Sequence, residues 1–317
     1  MRNFRRTGNH DLLFVGDSPA VKEIIRLINL VAGSDCSVLI EGESGTGKEL
    51  VARSIHARSS RSSKPFIPIN CAGISETLFE SQFFGHVRGA FTGAEQSMVG
   101  LVRSAEGGVL FMDEVGEIPI HLQAKLLRML QDGEVLPVGT VAPVPVDTRF
   151  IAAANRDLRA AVRNKEFRED LYYRLNVVRI YLPPLREHPE DVEPLLEEFI
   201  GRCAEQYGKP PVHISAEVCS QLAHYSWPGN VRELMSWVER LFVTGLEPGM
   251  LADSLLTEAE RDGQNALMNG VVSLKEAERR AISNALKAAD SNRSQAAQFL
   301  GINRATLHRK LAQYQIA

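Results

Sequence analysis

A glycine-rich loop near residue 45 constrains the fold of this chain more than any other feature. It follows a β-branched run at 37–40 and opens onto an apolar-periodic stretch at 50–56. A G-x-x-x-x-G-K string between a buried strand and a helix predicts a phosphate-binding loop, because its backbone N–H groups can wrap a phosphate at the positive end of the helix. A chance Gly/Ser loop is the competing interpretation, and the flanking strand and helix disfavour it. The loop residues are Gly42, Glu43, Ser44, Gly45, Thr46, Gly47, Lys48 and Glu49.

Two further features complete the predicted nucleotide site. Lys48 can reach the β- and γ-phosphates, but Glu49 replaces the Ser or Thr that usually ligates Mg²⁺, so other groups must hold the metal. The apolar run at 109–112 ends in Asp113 and Glu114, which predicts a buried parallel strand that delivers two carboxylates to its C-terminal edge. Asp113 is the expected Mg²⁺ partner, directly or through water, and Glu114 the expected base for the attacking water. A solvated Asp-Glu pair at a helix start is the alternative, but next to a phosphate loop the pair favours hydrolysis of a nucleoside triphosphate, ATP.

Composition excludes several other classes of protein. The 317 residues suffice for two or three domains, with 44% apolar and 24% charged residues, as in ordinary globular chains. No run approaches the length of a membrane span, and residues 1–12 lack the apolar segment of a signal peptide. The four cysteines and eight histidines show no metal-ligand spacing. We therefore expect a cytoplasmic protein with free thiols, no structural metal and no membrane partner.

The pattern of elements changes twice along the chain. Strand-like and helical runs alternate over residues 14–184, which predicts an α/β subdomain with a parallel sheet. Amphipathic helices alone follow at 185–247 and predict a helical subdomain. Residues 248–272 carry Gly, Pro and mixed charge with little periodicity and are predicted to be a linker. Residues 1–13 form a short extension ahead of the first domain.

The last 45 residues are predicted to bind DNA. Residues 273–317 contain eight Lys/Arg against three Asp/Glu, whereas the rest of the chain carries a net charge of −8. A short helix at 294–300, a turn at Gly301 and a basic helix at 303–314 match a helix-turn-helix, with polar and basic residues near the start of the second helix. A basic helical hairpin with a solvated face is the alternative. The predicted DNA contacts are Arg293, Asn303, Arg304, Thr306, His308, Arg309 and Lys310.

The string at 89–94 distinguishes this chain from other ATPases of the same general type. It has too many small residues for a helix or strand, and its one aromatic, Phe91, has no apolar neighbours in sequence, so a mobile loop that presents Phe91 to a partner is expected. On this string, GAFTGA, the chain resembles the bacterial enhancer-binding proteins, the AAA+ activators of sigma-54-dependent transcription. The resemblance covers nearly all of residues 14–245. Further matching stretches are FFGH at 83–86, LLRMLQ at 126–131, FREDLYYRLN at 167–176, LPPLRE at 182–187 and WPGNVREL at 227–234.

This resemblance implies a role for further residues and a Fis-type helix-turn-helix in the tail. It implies an AAA+ fold in which the parallel-sheet ATPase is followed by a helical lid. Asn70 would hold the catalytic glutamate in check, Asn155 would sense the γ-phosphate, and Arg232 would be the second sensor. Arg168 and Arg174 would be arginine fingers; without the surrounding motif, surface salt bridges would be the preferred interpretation of both. The residues that would contact sigma-54 are Gly89, Ala90, Phe91, Thr92, Gly93 and Ala94.

The resemblance thus implies an ATP-driven transcription activator. It would bind an enhancer-like double-stranded DNA site, assemble into a hexameric ring and convert the closed complex of sigma-54 RNA polymerase holoenzyme into an open complex. Two alternatives remain: a DNA-binding regulator of another polymerase form that hydrolyses ATP idly, and a mechanical AAA+ machine such as a helicase loader or unfoldase. The 89–94 string disfavours the first, and the string and tail together disfavour the second. With only a dozen residues ahead of the ATPase, control would come from a separate regulatory protein or from the amount of protein, unless the chain is a fragment.

Overall fold

A computed structural model of the chain describes residues 15–257, 282, 284–286, 289 and 292–314. The predicted extension at 1–13, the predicted linker from 258 to 272 and most of the first predicted helix of the tail lie outside these residues. The chain divides into two compact units with their boundary between Leu251 and Ala252.

The first unit is built on a parallel five-stranded sheet, which confirms the predicted α/β class. Its strands are β1 (Val38–Glu41), β2 (Phe66–Asn70), β5 (Val109–Asp113), β8 (Arg149–Ala154) and β9 (Val178–Tyr181). They lie in the order β2-β5-β8-β1-β9, so β5 sits between β2 and β8, and β1 is flanked by β8 and β9. Because all five are parallel, their carboxyl ends meet at one edge, where ligands bind in open α/β sheets.

Helices cover both faces of this sheet. They are α1 (Pro19–Ala32), α2 (Lys48–Ala57), α3 (Glu76–Phe84), α4 (Leu101–Ser104), α5 (Ile120–Asp132), α6 (Leu158–Arg163) and α7 (Glu169–Leu175). In α1 the side chain of Ser18 accepts a hydrogen bond from the Val21 amide and Pro19 occupies the first turn, so the sequence itself marks where the helix begins. Buried residues recur every three or four positions along α1 and turn one face to the sheet.

The core consists of two apolar layers, one on each face of the sheet. Alternate residues of β5 enter different layers: Leu110 and Met112 pack with α3, α5 and α7, whereas Val109 and Phe111 pack with α1 and α2. Successive side chains of a strand point to opposite faces, so a strand covered on both faces is apolar throughout. This is why 109–112 forms a continuous apolar run in the sequence.

Two small antiparallel hairpins stand apart from the main sheet. One joins β3 (Gly85–His86) to β4 (Met98–Val99), and the other joins β6 (Glu134–Val135) to β7 (Val144–Pro145). Two backbone hydrogen bonds of Val138, in the second hairpin, link it to the first. The Val138 amide donates to the Gly85 carbonyl at 2.9 Å, and its carbonyl accepts from the Val87 amide at 3.1 Å. The string at 89–94 lies at the tip of the first hairpin.

A helical lid follows the α/β subdomain within the same unit. Its helices are α8 (Val192–Tyr207), α9 (Ala216–His224) and α10 (Asn230–Thr244). Trp227 is fully buried ahead of α10 and donates from its indole nitrogen to the Leu222 carbonyl at 2.8 Å. Residues 248–257, in the stretch predicted to be a linker, are helical, and Leu251 is buried. Leu251, Ala252 and Leu255 are buried on one face of this helix, but its short length and the Pro and Gly at its start favoured a linker in the sequence.

The second unit contains the predicted helix-turn-helix. Its helices are α11 (Arg293–Phe299) and α12 (Arg304–Tyr314), joined through Gly301 at φ 64°. A compact apolar cluster that includes Ala296, Leu307 and Leu311 holds them together. In the part of the chain that the structure describes, no helix is long and apolar enough to cross a membrane.

Candidate functional site: the nucleotide site, the exposed hairpin and the tail

The phosphate loop connects β1 to α2 at the carboxyl edge of the sheet. Gly45 and Gly47 have φ values of 81° and 97°, which a residue with a Cβ adopts only at a cost. No side chain caps the first turn of α2, and a Cβ built on Gly47 would meet no atom within 4 Å. The uncapped N–H groups and the open space beside Gly47 therefore fit an anionic phosphate at the N-terminus of this helix.

Lys48 lies folded across the loop. Its ammonium group donates to the carbonyls of Gly42 and Glu43, both at 2.9 Å, and the residue is only 7% exposed. Burial lowers the pKa of Lys48, while the carboxylates of Asp113 and Glu114 act in the opposite direction. The lysine is thus a desolvated cation between the loop and the two acids, where a phosphate would replace its carbonyl partners.

The carboxylates predicted at the end of β5 meet an amide from the neighbouring strand. Asn155 follows β8, and its Nδ2 donates to Glu114 Oε1 at 3.3 Å, while Asp113 Oδ1 accepts from the Glu114 amide at 3.0 Å. Glu114 itself has φ 55° and ψ 44°, in the left-handed region. The sheet order therefore brings Lys48, Asp113, Glu114 and Asn155 together, since β1, β8 and β5 are adjacent.

Asn70 lies beside the same site but makes different contacts from those that the resemblance implies. It ends β2 in register with Asp113, and its side-chain oxygen accepts from the amides of Ala72 and Gly73 at 2.9 and 3.3 Å. In this structure the Glu114 carboxylate is bonded by Asn155, and the Asn70 oxygen instead caps the turn at Cys71–Gly73. Local sequence does not indicate which of these two asparagines reaches Glu114, because each lies at the carboxyl end of a strand at the same edge.

The lid closes on the other side of the phosphate loop. Arg232 donates from its backbone amide to the Gly45 carbonyl at 3.3 Å and from Nη1 to Ser44 Oγ at 3.0 Å. A Cβ on Gly45 would lie 2.2 Å from the Gly229 carbonyl, so the loop and lid can approach this closely only with glycine there. The predicted second sensor thus rests directly on the loop.

Two further residues join the lid to the phosphate loop, and neither has a role predicted from the sequence. Arg186 pairs with both carboxylate oxygens of Glu43, and Asn230 donates from Nδ2 to Glu43 Oε2 at 3.2 Å and to the Ser44 carbonyl at 3.0 Å. Both positions occur in stretches that support the resemblance, but nothing in their local sequence indicates a partner so far away along the chain.

The two predicted arginine fingers point to partners within their own subunit. Arg168 forms a bidentate ion pair with Asp170 at 3.0 and 2.7 Å, and Arg174 donates twice to the Leu130 carbonyl at 3.0 and 2.7 Å. The Asp170 carboxylate raises the pKa of Arg168, so the guanidinium stays charged. No hydrogen bond or ion pair found in the described part of the chain joins either arginine to the phosphate loop. A role at their own subunit's nucleotide would require both side chains to change partners.

The 89–94 string forms a closed turn rather than an irregular loop. The Gly89 amide donates a hydrogen bond to the Ala94 carbonyl at 2.9 Å, and Gly89 and Gly93 have φ values of 79° and 97°. Phe91 is 43% exposed, and its ring centroid lies 5.0 Å from that of His86 in an edge-to-face arrangement, so it is less isolated than its sequence neighbours suggested. Thr92 is exposed at the tip. The turn presents an aromatic ring and a hydroxyl to the outside.

In the tail, exposed polar side chains occur near the start of α12. Arg293, Arg304 and His308 are exposed, and Thr306 and Lys310 are half-buried. Asn303 is exposed too, but its Oδ1 accepts from the Thr306 amide at 2.7 Å and caps the helix, so that oxygen already has a partner. The side chain of Arg309 lies outside the described part of the structure.

The donor set at the nucleotide site fits Mg²⁺. Among the described residues, no three His, Cys, Asp or Glu side chains converge on a point where a metal could be held by protein alone. Mg²⁺ is commonly held by one or two carboxylates together with substrate phosphates, and Asp113 offers such a carboxylate next to the phosphate loop.

Together, the parallel sheet, the phosphate loop with its paired carboxylates and the helical lid define an AAA+ ATPase. Three family models match successive parts of the chain: the sigma-54 interaction domain over residues 14–181, the AAA+ ATPase lid domain over 186–269, and the bacterial regulatory protein Fis family over 273–314. The chain belongs to the family of sigma-54-dependent transcriptional regulators that carry an AAA+ ATPase domain and a Fis-type DNA-binding domain.

Individual relatives agree with this assignment. The transcriptional regulatory protein ZraR of Klebsiella oxytoca is 45% identical over 308 residues, which cover 94% of this chain and 68% of ZraR. The DNA-binding transcriptional regulator NtrC of Azospirillum brasilense is 43% identical over 340 residues, covering 97% of this chain and 70% of NtrC. The crystal structure of NtrX from Brucella abortus in complex with ADP matches with a TM-score of 0.72 and 36% identity, over 96% of this chain and 70% of NtrX.

Proposed function

We propose that this protein activates sigma-54-dependent transcription by using ATP hydrolysis to convert the closed polymerase complex into an open one. The observation that carries the proposal is the turn at 89–94, where Phe91 and Thr92 are exposed at the tip of a hairpin outside the catalytic sheet. A large aromatic side chain held outside the core by a hydrogen-bonded turn is suited to contact a partner. The partner is the sigma-54 factor of RNA polymerase.

The chemistry is hydrolysis of ATP at the carboxyl edge of the sheet. Residues 42–49 bind the β- and γ-phosphates, with Lys48 exchanging its carbonyl partners for phosphate oxygens. Glu114 accepts a proton from the attacking water, and Asn155 orients both the glutamate and the γ-phosphate. Mg²⁺ held by Asp113 would supply charge neutralisation for the departing phosphates.

The remaining positive charge comes from a neighbouring subunit. We assign this charge to Arg168 and Arg174. Arg168 bonds an exposed carboxylate and Arg174 a backbone carbonyl, so neither is engaged with the phosphate loop of its own subunit. Both partners can be exchanged for phosphate oxygens, the bidentate acceptors that guanidinium groups favour. A ring, of six subunits in this proposal, places these arginines at each neighbour's ATP.

Movement at the ATP site reaches the hairpin through α3. This helix lies between the Asn70 segment and β3, and Phe79 and Phe83 are buried in the core beneath the sheet. At its C-terminal end Ser81 bonds His86 at 2.7 Å, and the other nitrogen of that ring lies 3.0 Å from the Gln96 carbonyl. A shift of α3 would therefore carry the whole hairpin with it.

The tail anchors the ATPase near its promoter. The Fis-type domain would bind an enhancer-like site on double-stranded DNA, and the bacterial cytoplasm is where this DNA and the polymerase are found. Control by a separate regulatory protein is compatible with this arrangement.

The test is to separate ATP hydrolysis from promoter opening on the same protein. Phe91→Leu and Thr92→Ala should retain ATPase activity and thermal stability, because both side chains are exposed and belong to no core. Both should lose binding to sigma-54 in a transition-state analogue complex and lose open-complex formation. Gln96→Ala, an exposed change in the same hairpin, is the matched control and should still open the promoter. Wild-type open-complex rates from Phe91→Leu and Thr92→Ala would contradict the proposal.

A further inference from the structure

Glu43 places a carboxylate inside a loop that has to accept a polyanion. It lies between Gly42 and Ser44, and its own carbonyl is one of the two that Lys48 bonds. A carboxylate this close to the phosphates of ATP would repel them unless its charge is neutralised. Its sequence position therefore raises the question of which cation compensates it.

The compensating groups come from the lid. Arg186 Nη1 lies 2.8 Å from Glu43 Oε2, and Nη2 bonds the other carboxylate oxygen. Hydrogen bonds from Arg186, and next from Asn230, lower the pKa of Glu43 to about 2, so this carboxylate is charged at every pH at which the ATPase would be studied. Glu43 therefore offers Arg186 a charged partner over that whole pH range.

Asn230 makes this link specific. The residue is fully buried at φ 53°, its Oδ1 accepts from the Leu185 amide at 2.9 Å, and its Nδ2 donates to Glu43 and to the Ser44 carbonyl. Asparagine is one of the few residues with a side chain that tolerates this backbone conformation. One amide thus joins two segments of the lid to the phosphate loop.

The same contact sets the position of Arg232. Arg232 follows Asn230 by two residues at the start of α10, and it bonds Gly45 and Ser44 of the loop. Any shift of the lid away from Glu43 would move Arg232 away from the phosphates as well.

We propose that Glu43 is a positioning residue that anchors the lid on the phosphate loop, and that Arg186 neutralises its carboxylate so that ATP can bind. The Arg186–Glu43–Asn230 contact then couples the position of the lid to nucleotide affinity. This inference goes beyond the proposed role in transcription, and it rests only on residues 42–48 being the phosphate loop.

Two other interpretations of the ion pair lead to different results. Arg186 could bind the nucleotide directly, in which case Glu43 would merely store the side chain. Alternatively, because both side chains are 42% exposed, the pair could be a surface salt bridge of the kind that contributes little.

A double-mutant cycle distinguishes these interpretations. The proteins are wild type, Arg186→Gln, Glu43→Gln and the double variant, and the probe is a fluorescent ATP analogue titrated into each. Arg186→Gln should weaken binding about tenfold, because it leaves an uncompensated carboxylate beside the phosphates. Glu43→Gln should weaken binding only a few-fold, since it loses the anchor without adding repulsion, and the double variant should match Glu43→Gln. Equal weakening in Arg186→Gln and the double variant would overturn the proposal in favour of direct nucleotide binding, and four equal affinities would reduce the pair to a surface salt bridge.

Matched controls separate positioning from misfolding and from the phosphate-loop assignment. Arg202→Gln breaks another exposed Arg–Glu pair of the lid, with Glu198, and should leave affinity unchanged. Asn230→Gly tolerates the same backbone conformation and removes the side chain with its bonds to Leu185, Glu43 and Ser44, so it should weaken binding of the analogue while the circular dichroism spectrum stays that of the wild type. Lys48→Ala tests the loop itself: retained affinity there would refute the phosphate-loop assignment. If Lys48→Ala does not bind and the double variant still fails to regain affinity, only the role of Glu43 is refuted.

Discussion

Glu114 combines a proposed catalytic role with an uncommon backbone conformation. Its φ of 55° lies in the left-handed region, where a residue other than glycine has a conformational energy about 1–2 kcal/mol higher than in the right-handed region. The surroundings maintain it: Val115 is fully buried next to it, and Asn155 bonds its carboxylate. Local strain of this kind is common at functional sites and persists only where neighbouring contacts enforce it.

Replacing Glu114 by Gln should block turnover without blocking nucleotide binding. The amide cannot take a proton from water, and loss of a general base typically costs about two to four orders of magnitude in rate. The comparison is ATPase rate against analogue affinity in the same preparation. Glu117→Gln, an exposed change in the same turn, should keep its rate. A wild-type rate in Glu114→Gln would exclude Glu114 as the base.

At the scale of elements, α5 connects the edge of the sheet that carries Glu114 to α7, where the proposed arginine fingers lie: Arg168 is at the N-cap position of the helix and Arg174 is in its last turn. The α5 residue Gln123 is fully buried and donates to the carbonyls of Ile118 and Glu166 at 2.9 and 3.2 Å. Its Oε1 accepts from the Arg168 amide at 2.8 Å. One buried amide therefore fixes the segment after Glu114 relative to the start of α7.

Gln123→Leu should lower stability markedly despite its similar size. It leaves the Arg168 amide and two carbonyls without this partner, and each buried unsatisfied group costs about 1–3 kcal/mol. We expect a loss of about 2–4 kcal/mol, seen as a thermal unfolding midpoint lower by several degrees. Gln131→Leu, at an exposed position of the same helix, should change stability by less than about 0.5 kcal/mol. Similar midpoints for both variants would show that the buried amide does not stabilise the domain.

The tail helices α11 and α12 each begin at a capping asparagine that the local sequence supplies. Asn292 caps α11 and Asn303 caps α12, and an apolar cluster of the tail packs them together. The helices that carry the proposed DNA contacts are therefore capped and packed by residues of the tail.

If the Arg304 side chain binds a DNA phosphate, Arg304→Ala should weaken binding by a similar factor for different DNA sequences. Removing one phosphate interaction should reduce the slope of log affinity against log salt by about one. The measurement is a salt series of binding to promoter DNA by fluorescence anisotropy. Arg240→Ala, an exposed change of the same charge on α10, is the control. An unchanged slope in Arg304→Ala would show that this residue does not bind the DNA backbone.

At the scale of the whole molecule, the proposed active site is incomplete within one subunit. The phosphate loop, the carboxylates and the lid come together in one unit, while Arg168 and Arg174 bond Asp170 and Leu130. Activity per subunit should therefore rise with protein concentration as subunits assemble.

Mixing two inactive variants tests this directly. Glu114→Gln lacks its own base, and Arg168→Ala lacks the finger that it would donate to a neighbour. In a mixed ring, an Arg168→Ala subunit can still hydrolyse ATP with Arg168 of an adjacent Glu114→Gln subunit, so activity should reappear. A mixture of Glu114→Gln with Lys48→Gln, both defective at their own site, should stay inactive. Loss of an arginine finger typically lowers the hydrolysis rate by about three to five orders of magnitude, so recovered activity should be easy to detect. If the first mixture forms rings but stays inactive, Arg168 does not act between subunits.

The sequence by itself determined most elements of the ATPase unit and the parts of the site that are contiguous in the chain, although it indicated a linker where residues 248–257 are helical. The loop at 42–49, the apolar run ending in Asp113 and Glu114, and the amphipathic helices each follow from local periodicity, glycine content and capping residues. Family resemblance added the expected sigma-54 partner of the 89–94 string, the sensor residues and the fingers. Such features are short-range, so a sequence carries them without its tertiary context.

Only the tertiary structure decided which of these parts meet. Asn155, not Asn70, bonds Glu114, and both lie at the carboxyl ends of strands at one edge, so their sequence patterns are alike. Arg186 and Asn230 reach Glu43 from 143 and 187 residues away. The chain packs these partners together because its sheet order and lid are set by burial of whole apolar faces. That burial is non-directional, so local sequence does not specify which polar side chains it brings into contact.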